Sequence, residues 1–102
     1  MLELRPNCEM CDRDLPVESV DARICTYECT FCANCVDHVL HNVCPNCAGG
    51  FVPRPIRPVT DRRTGVSRVH QPASAQRRRL KYDMDDIASL VSATKHIAPQ
   101  DR

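Results

Sequence analysis

The sequence of 102 residues suffices for one small domain and a tail, and it contains no Trp, two Tyr and two Phe. So few large apolar side chains exclude a core that is stable by itself, and such a chain needs covalent or metal cross-links. The formal net charge of +1 is the sum of an acidic and a basic part of the chain. Residues 1–52 carry three arginines against eight acids, a charge of −5, and residues 53–102 carry eleven Lys and Arg against five acids, a charge of +6. We call these parts the cysteine-rich half and the basic half.

All eight cysteines lie between Cys8 and Cys47. No apolar stretch of signal-peptide length precedes Cys8, and no apolar window of about 18 residues offers a membrane span. We therefore expect a cytoplasmic protein that does not enter a membrane. Thiols stay reduced in that compartment, so the cysteines are expected to bind metal rather than form disulfides.

The cysteines form four pairs: Cys8/Cys11, Cys25/Cys29, Cys32/Cys35 and Cys44/Cys47. A pair separated by two residues lets the chain turn so that both sulfurs lie about 2.3 Å from one zinc ion. Four pairs complete two tetrahedral sites, which predicts two Zn²⁺ ions, with an iron–sulfur cluster as the alternative. Sequential and alternating combinations of the pairs both satisfy this count. Since four thiolates leave no open coordination position, the zinc is expected to be structural.

The order and spacing of the cysteines resemble a RING finger in which the usual histidine is replaced by cysteine. Phe31 before the fifth ligand, Val36 after the sixth and Pro45 after the seventh also match RING domains. The resemblance implies a cross-braced arrangement. One zinc would then be bound by Cys8, Cys11, Cys32 and Cys35, and the other by Cys25, Cys29, Cys44 and Cys47.

Residues 1–52 also resemble a family of short bacterial cysteine-rich domains of unknown function. The resemblance is carried by residues 2–8, 11–16, 21–25, 28–32 and 44–47. It implies a bacterial intracellular protein and no particular activity.

The expected fold is a small zinc-stabilised α+β domain, RING-like or treble-clef, over residues 1–52. Residues 22–24 and 30–31 are candidate strands of a short hairpin. Residues 34–41 are expected to form a helix that buries four aliphatic side chains, Val36, Val39, Leu40 and Val43. His38 and His41 are expected on its exposed side.

Residues 53–82 are rich in Pro and Arg, and we expect an extended, disordered linker, although folding back on the acidic half is an alternative. Residues 83–97 are expected to form a short amphipathic helix with Asp83 as N-cap. Its apolar stripe consists of Met84, Ile87, Ala88 and Val91. Residues 98–102 are a tail.

These features favour a non-enzymatic zinc protein that serves as a protein-interaction module with an unidentified protein partner. One alternative is nucleic-acid binding through the most basic stretch of the basic half, Arg77, Arg78, Arg79 and Lys81. The RING resemblance implies a third possibility, an activity like that of ubiquitin ligases, for which Met10 and Pro45 match and Ala48 replaces a frequent basic residue.

Overall fold

A computed structural model describes residues Met1–Arg102 as a small α+β structure. Strands β1 (Ala22–Ile24) and β2 (Thr30–Cys32) form an antiparallel hairpin, in which Arg23 lies opposite Phe31. A third strand, β3 (Val52–Pro53), pairs antiparallel with the other edge of β1, giving the order β2-β1-β3. The predicted hairpin is confirmed, whereas β3 was not expected.

The first helix begins directly after β2. Helix α1 (Ala33–Cys35) continues into a π-helical turn, Val36–Leu40, which ends at His41 and Asn42 with φ of 47° and 61°. Val36, Leu40 and Val43 are buried as expected, but Val39 is 40% exposed, so its predicted burial is wrong. The wider π-helical turn changes the rotation per residue, and this moves Val39 off the buried face. His38 and His41 are exposed.

The hydrophobic core draws residues from β1, β2, the first helix and the C-terminal part of the chain, and it includes most of the cysteines. Phe31 is fully buried, and its ring contacts Phe51 edge-on at a centroid distance of 5.5 Å. Cys8, Cys32 and Cys44 are also fully buried. The sulfur atoms therefore occupy the space that large apolar side chains fill in other small domains.

Residues 53–82 contain little regular structure, and several of their arginines contact the cysteine-rich half. The Arg54 side chain is buried and donates to the carbonyls of Arg5 at 2.8 Å, Leu15 at 3.1 Å and Pro16 at 2.9 Å. Arg57 donates to the carbonyl of Leu2 at 2.7 Å. These side chains attach the start of the basic half to the first residues of the chain.

Helix α2 (Met84–Thr94) is shorter than the predicted residues 83–97. The Asp83 side chain accepts from the backbone N–H of Asp86 at 2.8 Å, which confirms the predicted N-cap. Ile87 and Val91 are buried in the core cluster, as expected, but Met84 and Ala88 are exposed. A short turn, Pro99–Asp101, follows α2.

Candidate metal centres

The first centre brings together Cys8, Cys11, Cys32 and Cys35, whose sulfur atoms all lie within 4.8 Å of one another. Cys8 and Cys11 occupy a turn near the N-terminus, Cys32 ends β2 and Cys35 ends α1. Three of the four are buried, and Cys11 is exposed at the surface. Pairs distant in sequence thus meet at one point, as alternating pairing requires.

The second centre contains Cys25, Cys44 and Cys47, whose sulfur atoms also lie within 4.8 Å of one another. Cys25 follows β1, and the other two flank the turn that contains Pro45 and Asn46. Cys29 lies outside this three-membered group, yet its thiol is near enough to Cys25 and Cys44 to shift the pKa of both. The second centre therefore offers three convergent sulfurs with a fourth adjacent.

The sulfur geometry fits metal coordination and does not fit disulfides. The Cys11 and Cys32 sulfurs are 3.8 Å apart, and all eight cysteines are free. Four sulfurs at about 2.3 Å from a tetrahedral ion lie about 3.8 Å from each other. A disulfide needs about 2.05 Å. The residues present therefore fit a tetrahedral metal ion in the first centre.

Backbone N–H groups point at the sulfurs in both centres. The Tyr27 N–H donates to the Cys25 sulfur at 3.3 Å and the Gly49 N–H to the Cys47 sulfur at 3.4 Å. Burial acts against the thiolates of Cys8 and Cys11, and the backbone N–H groups of Met10 and Arg13 act in the opposite direction; the pKa of Cys8 is raised and that of Cys11 is lowered. Hydrogen bonds of this kind stabilise thiolate over thiol, and thiolate is the form that binds metal.

Two residues with positive φ shape these turns. Asp12 follows Cys11 with φ of 63°, and Ala48 follows Cys47 with φ of 64°. The left-handed backbone at Ala48 allows the next N–H, from Gly49, to point back at the Cys47 sulfur. The Arg13 N–H lowers the pKa of Cys11 from the matching position. The two ends of the cysteine-rich half therefore contain the same local structure, although neither position is a glycine.

The clustered thiols differ in pKa, because each one affects the ionisation of its neighbours. Hydrogen bonds from the Cys29 and Cys44 thiols lower the pKa of Cys25 to about 3. The same contacts, with Cys25 and Cys29 as partners, raise the pKa of Cys44. In the first centre, burial raises the pKa of Cys8 and of Cys35. A divalent cation would remove this conflict by displacing the protons and balancing part of the thiolate charge.

Glu9 connects the two centres and was not identified by sequence reasoning. Its carboxylate is buried and accepts from the Thr30 N–H at 2.8 Å, from Arg5 at 3.1 Å and from the Asn46 side chain at 3.3 Å. Glu9 lies within the Cys8/Cys11 turn and Asn46 within the Cys44/Cys47 turn. One carboxylate thus fixes the turns of both centres, and no local pattern in the sequence distinguishes Glu9 from a surface acid.

A cavity of about 730 Å³ opens beside the second centre. Its lining includes Tyr27, Cys29 and Cys47 of the cysteine-rich half and the basic run of the other half, Arg77, Arg78, Arg79 and Lys81. Arg77 and Arg78 form ion pairs with carboxylates of the cysteine-rich half, whereas Arg79 and Lys81 form none. The basic run is therefore partly neutralised within the chain.

The fold and the two centres define a small α+β protein with two candidate metal sites built from cysteine thiols alone. Residues 1–57 match the family described as protein of unknown function DUF1272, and the chain belongs to that family. This confirms the resemblance to a bacterial cysteine-rich family of unknown function.

An uncharacterized protein of Rhizobium meliloti (strain 1021) is 63% identical over 60 residues, which cover 59% of this chain and 71% of the relative. No solved structure matches the chain. No helix of the chain is both long and apolar enough to cross a membrane.

Proposed function

We propose that the chain is a structural zinc protein whose cross-braced, RING-like scaffold serves as a protein-interaction module. One Zn²⁺ would be held by Cys8, Cys11, Cys32 and Cys35, and the other by Cys25, Cys29, Cys44 and Cys47. The observation that carries the proposal is the convergence of four sulfurs from two distant pairs, within 4.8 Å, in the first centre. Four thiolates fill a tetrahedral zinc site and leave no position for a substrate, so we propose no enzymatic activity.

The stability of so small a domain supports a structural role for the metal. A structural zinc site contributes on the order of 10 kcal/mol, which is as large as the total stability of many domains. Zinc would also place buried thiolates in a compensated environment. Since the thiols must remain reduced to bind zinc, we propose a cytoplasmic location.

The test is metal content by native mass spectrometry of the full chain, purified under reducing conditions. We expect two zinc ions per chain and no reactive thiols. Cys11→Ser should remove the ion of the first centre, and Cys47→Ser should remove that of the second. Neither residue is fully buried, so these substitutions do not place a hydroxyl in the hydrophobic core. His38→Ala, at an exposed residue between Cys35 and Cys44 in the sequence, should retain both ions.

Two results would contradict this proposal. Iron in place of zinc would assign the thiols to a cluster. A single ion, unaffected by Cys47→Ser, would leave the second group of cysteines without a metal role.

Nucleic-acid binding stays a prediction that would depend on Arg79 and Lys81, because Arg77 and Arg78 already pair with carboxylates. The acidic cysteine-rich half would oppose phosphate binding. A ligase-like activity stays a prediction of the RING resemblance alone, and no contact described above favours it.

A further inference from the structure

A surface on the cysteine-rich half binds a segment of the chain's own basic half in the manner of a peptide ligand. We call this surface, formed by Glu3, Asn7, Asp12 and Asp14, the acidic face. Residues 77–80, which we call the arginine segment, lie across it without helix or strand structure of their own. The contacts between them combine charge pairing with recognition of the backbone.

The side chains of the arginine segment pair with three carboxylates. The Arg77 guanidinium donates to Asp14 at 2.6 Å, to the Asp12 carboxylate at 2.9 Å and to the Asp12 carbonyl at 2.6 Å. Arg78 donates to both carboxylate oxygens of Glu3, at 3.2 and 3.3 Å. Forked contacts of this kind are specific to arginine, because a lysine ammonium cannot match both oxygens.

The Asn7 side chain binds the backbone of Arg78 on both sides. The Arg78 N–H donates to Asn7 Oδ1 at 3.2 Å, and Asn7 Nδ2 donates to the Arg78 carbonyl at 2.8 Å. Asn7 is fully buried beneath the segment. An amide that pairs with both backbone groups of one residue recognises any extended chain, as in the addition of a peptide strand to a protein.

Two further contacts fix the direction of the segment. The Ser74 N–H donates to the Leu4 carbonyl at 2.9 Å, upstream of the arginines. Leu80 packs, partly buried, against the hydrophobic core downstream of them. The acidic face therefore accommodates an extended stretch in which two arginines are followed by an aliphatic residue.

The acidic face lies within the stretch that the family match covers, residues 1–57, and the arginine segment lies outside it. We propose that the acidic face is a recognition site for an extended segment with two adjacent arginines, presented by a partner protein. In this chain the arginine segment fills the site and a partner would displace it. The inference rests on the proposed function, since it specifies the partner of the interaction module. The negative charge of the face excludes nucleic acid as the occupant.

The experiment measures binding of a fluorescent peptide that comprises residues 74–82, by anisotropy, to the full chain. The double variant Arg77→Glu/Arg78→Pro opens the site, because the introduced carboxylate would be repelled by the face and the introduced proline has no N–H for Asn7. We expect the open variant to bind the peptide about tenfold more tightly than the wild type does, since a tethered segment competes at an effective concentration near millimolar. Binding should weaken with added salt.

Matched controls test the specificity. Adding Asp12→Asn/Asp14→Asn to the open variant should abolish peptide binding, whereas adding Asp37→Asn, at an exposed acid without ion pairs, should not change it. A peptide with lysine at both arginine positions carries the same charge and should bind several-fold more weakly.

Three outcomes would overturn the inference. The first two are no peptide binding by an open variant that retains two metal ions, and equal binding by the wild type and the open variant. The third is a wild-type dimer in light scattering that the open variant does not form, because the arginine segment would then bind a second copy of the chain. None of them affects the metal-content test, so failure of this inference and failure of the zinc scaffold are distinguishable.

Discussion

At the scale of single residues, Ala48 holds a left-handed backbone conformation with φ of 64°, directly after the last cysteine. This conformation costs an alanine about 1–2 kcal/mol, and glycine adopts it without that cost. We expect Ala48→Gly to stabilise the metal-bound fold by about 0.5–1 kcal/mol, after the greater flexibility of glycine in the unfolded chain is subtracted. Competition with a zinc chelator measures this as a few-fold gain in apparent zinc affinity.

The matched control for that variant is Ala93→Gly, on an exposed position of α2. Here glycine replaces alanine in a helix, so the change should destabilise by about 1 kcal/mol. If both variants moved stability in the same direction, the backbone conformation of Ala48 would not be the cause.

The residues of the candidate centres divide into those the sequence identifies and those it does not. Paired cysteines with short spacings are recognisable because the spacing itself reflects coordination geometry. Glu9 is different, since its function depends on the Asn46 side chain and the Thr30 N–H, which only the folded chain brings near it. Likewise, nothing in a turn that ends in Ala48 indicates a positive φ, because that conformation usually coincides with glycine.

At the scale of elements, the buried face of α2 consists of Ile87, Val91 and Thr94. It begins one helical turn after the start of the predicted stripe. Ile87 is 1% exposed and Met84 is 49% exposed. We expect Ile87→Ala to destabilise the folded chain by about 2–5 kcal/mol, because it removes a packed side chain and leaves a cavity. Met84→Ala, in the same helix, should change stability by less than about 0.5 kcal/mol. Denaturant unfolding of the metal-bound protein measures both.

A similar loss of stability in both variants would contradict this orientation of α2 and favour the predicted stripe. The sequence does identify the helix and its N-cap, because capping and apolar spacing are local. It misplaces one edge of the buried face, because the stripe of Met84, Ile87, Ala88 and Val91 fits helical spacing as well as the observed face does. The choice depends on the shape of the surface on which α2 packs.

The hairpin could be predicted from local sequence, whereas β3 could not, because its formation depends on a partner strand distant in the sequence. Residues 22–24 and 30–31 are recognisable as strands because they join across a short turn. Strand β3 has two residues, one of them a proline, and it exists because the exposed edge of β1 supplies its partners. Burial of Arg54, next to β3, likewise depends on carbonyls from the N-terminal residues.

At the scale of the whole molecule, the opposite charges of the two halves account for the contacts between them. Composition alone favours a solvated linker for residues 53–82, because few of its side chains can be buried. Arginine is an exception, since its guanidinium binds carbonyls and carboxylates of an acidic neighbour while its stem covers apolar surface. Arg54, Arg57 and Arg77 attach the segment at three separate points.

The proposed metal ions would therefore support the basic half as well as the centres themselves. Helix α2 has 11 residues, too few to be stable alone in water, and its buried side chains pack on the cysteine-containing core. Removing metal with a strong chelator under reducing conditions should therefore unfold α2 together with the cysteine-rich half. Amide resonances of residues 84–94 should collapse in chemical-shift dispersion and recover when zinc is added back. Persistence of native resonances for α2 without metal would show that the helix has a stabilising partner other than the metal-supported core.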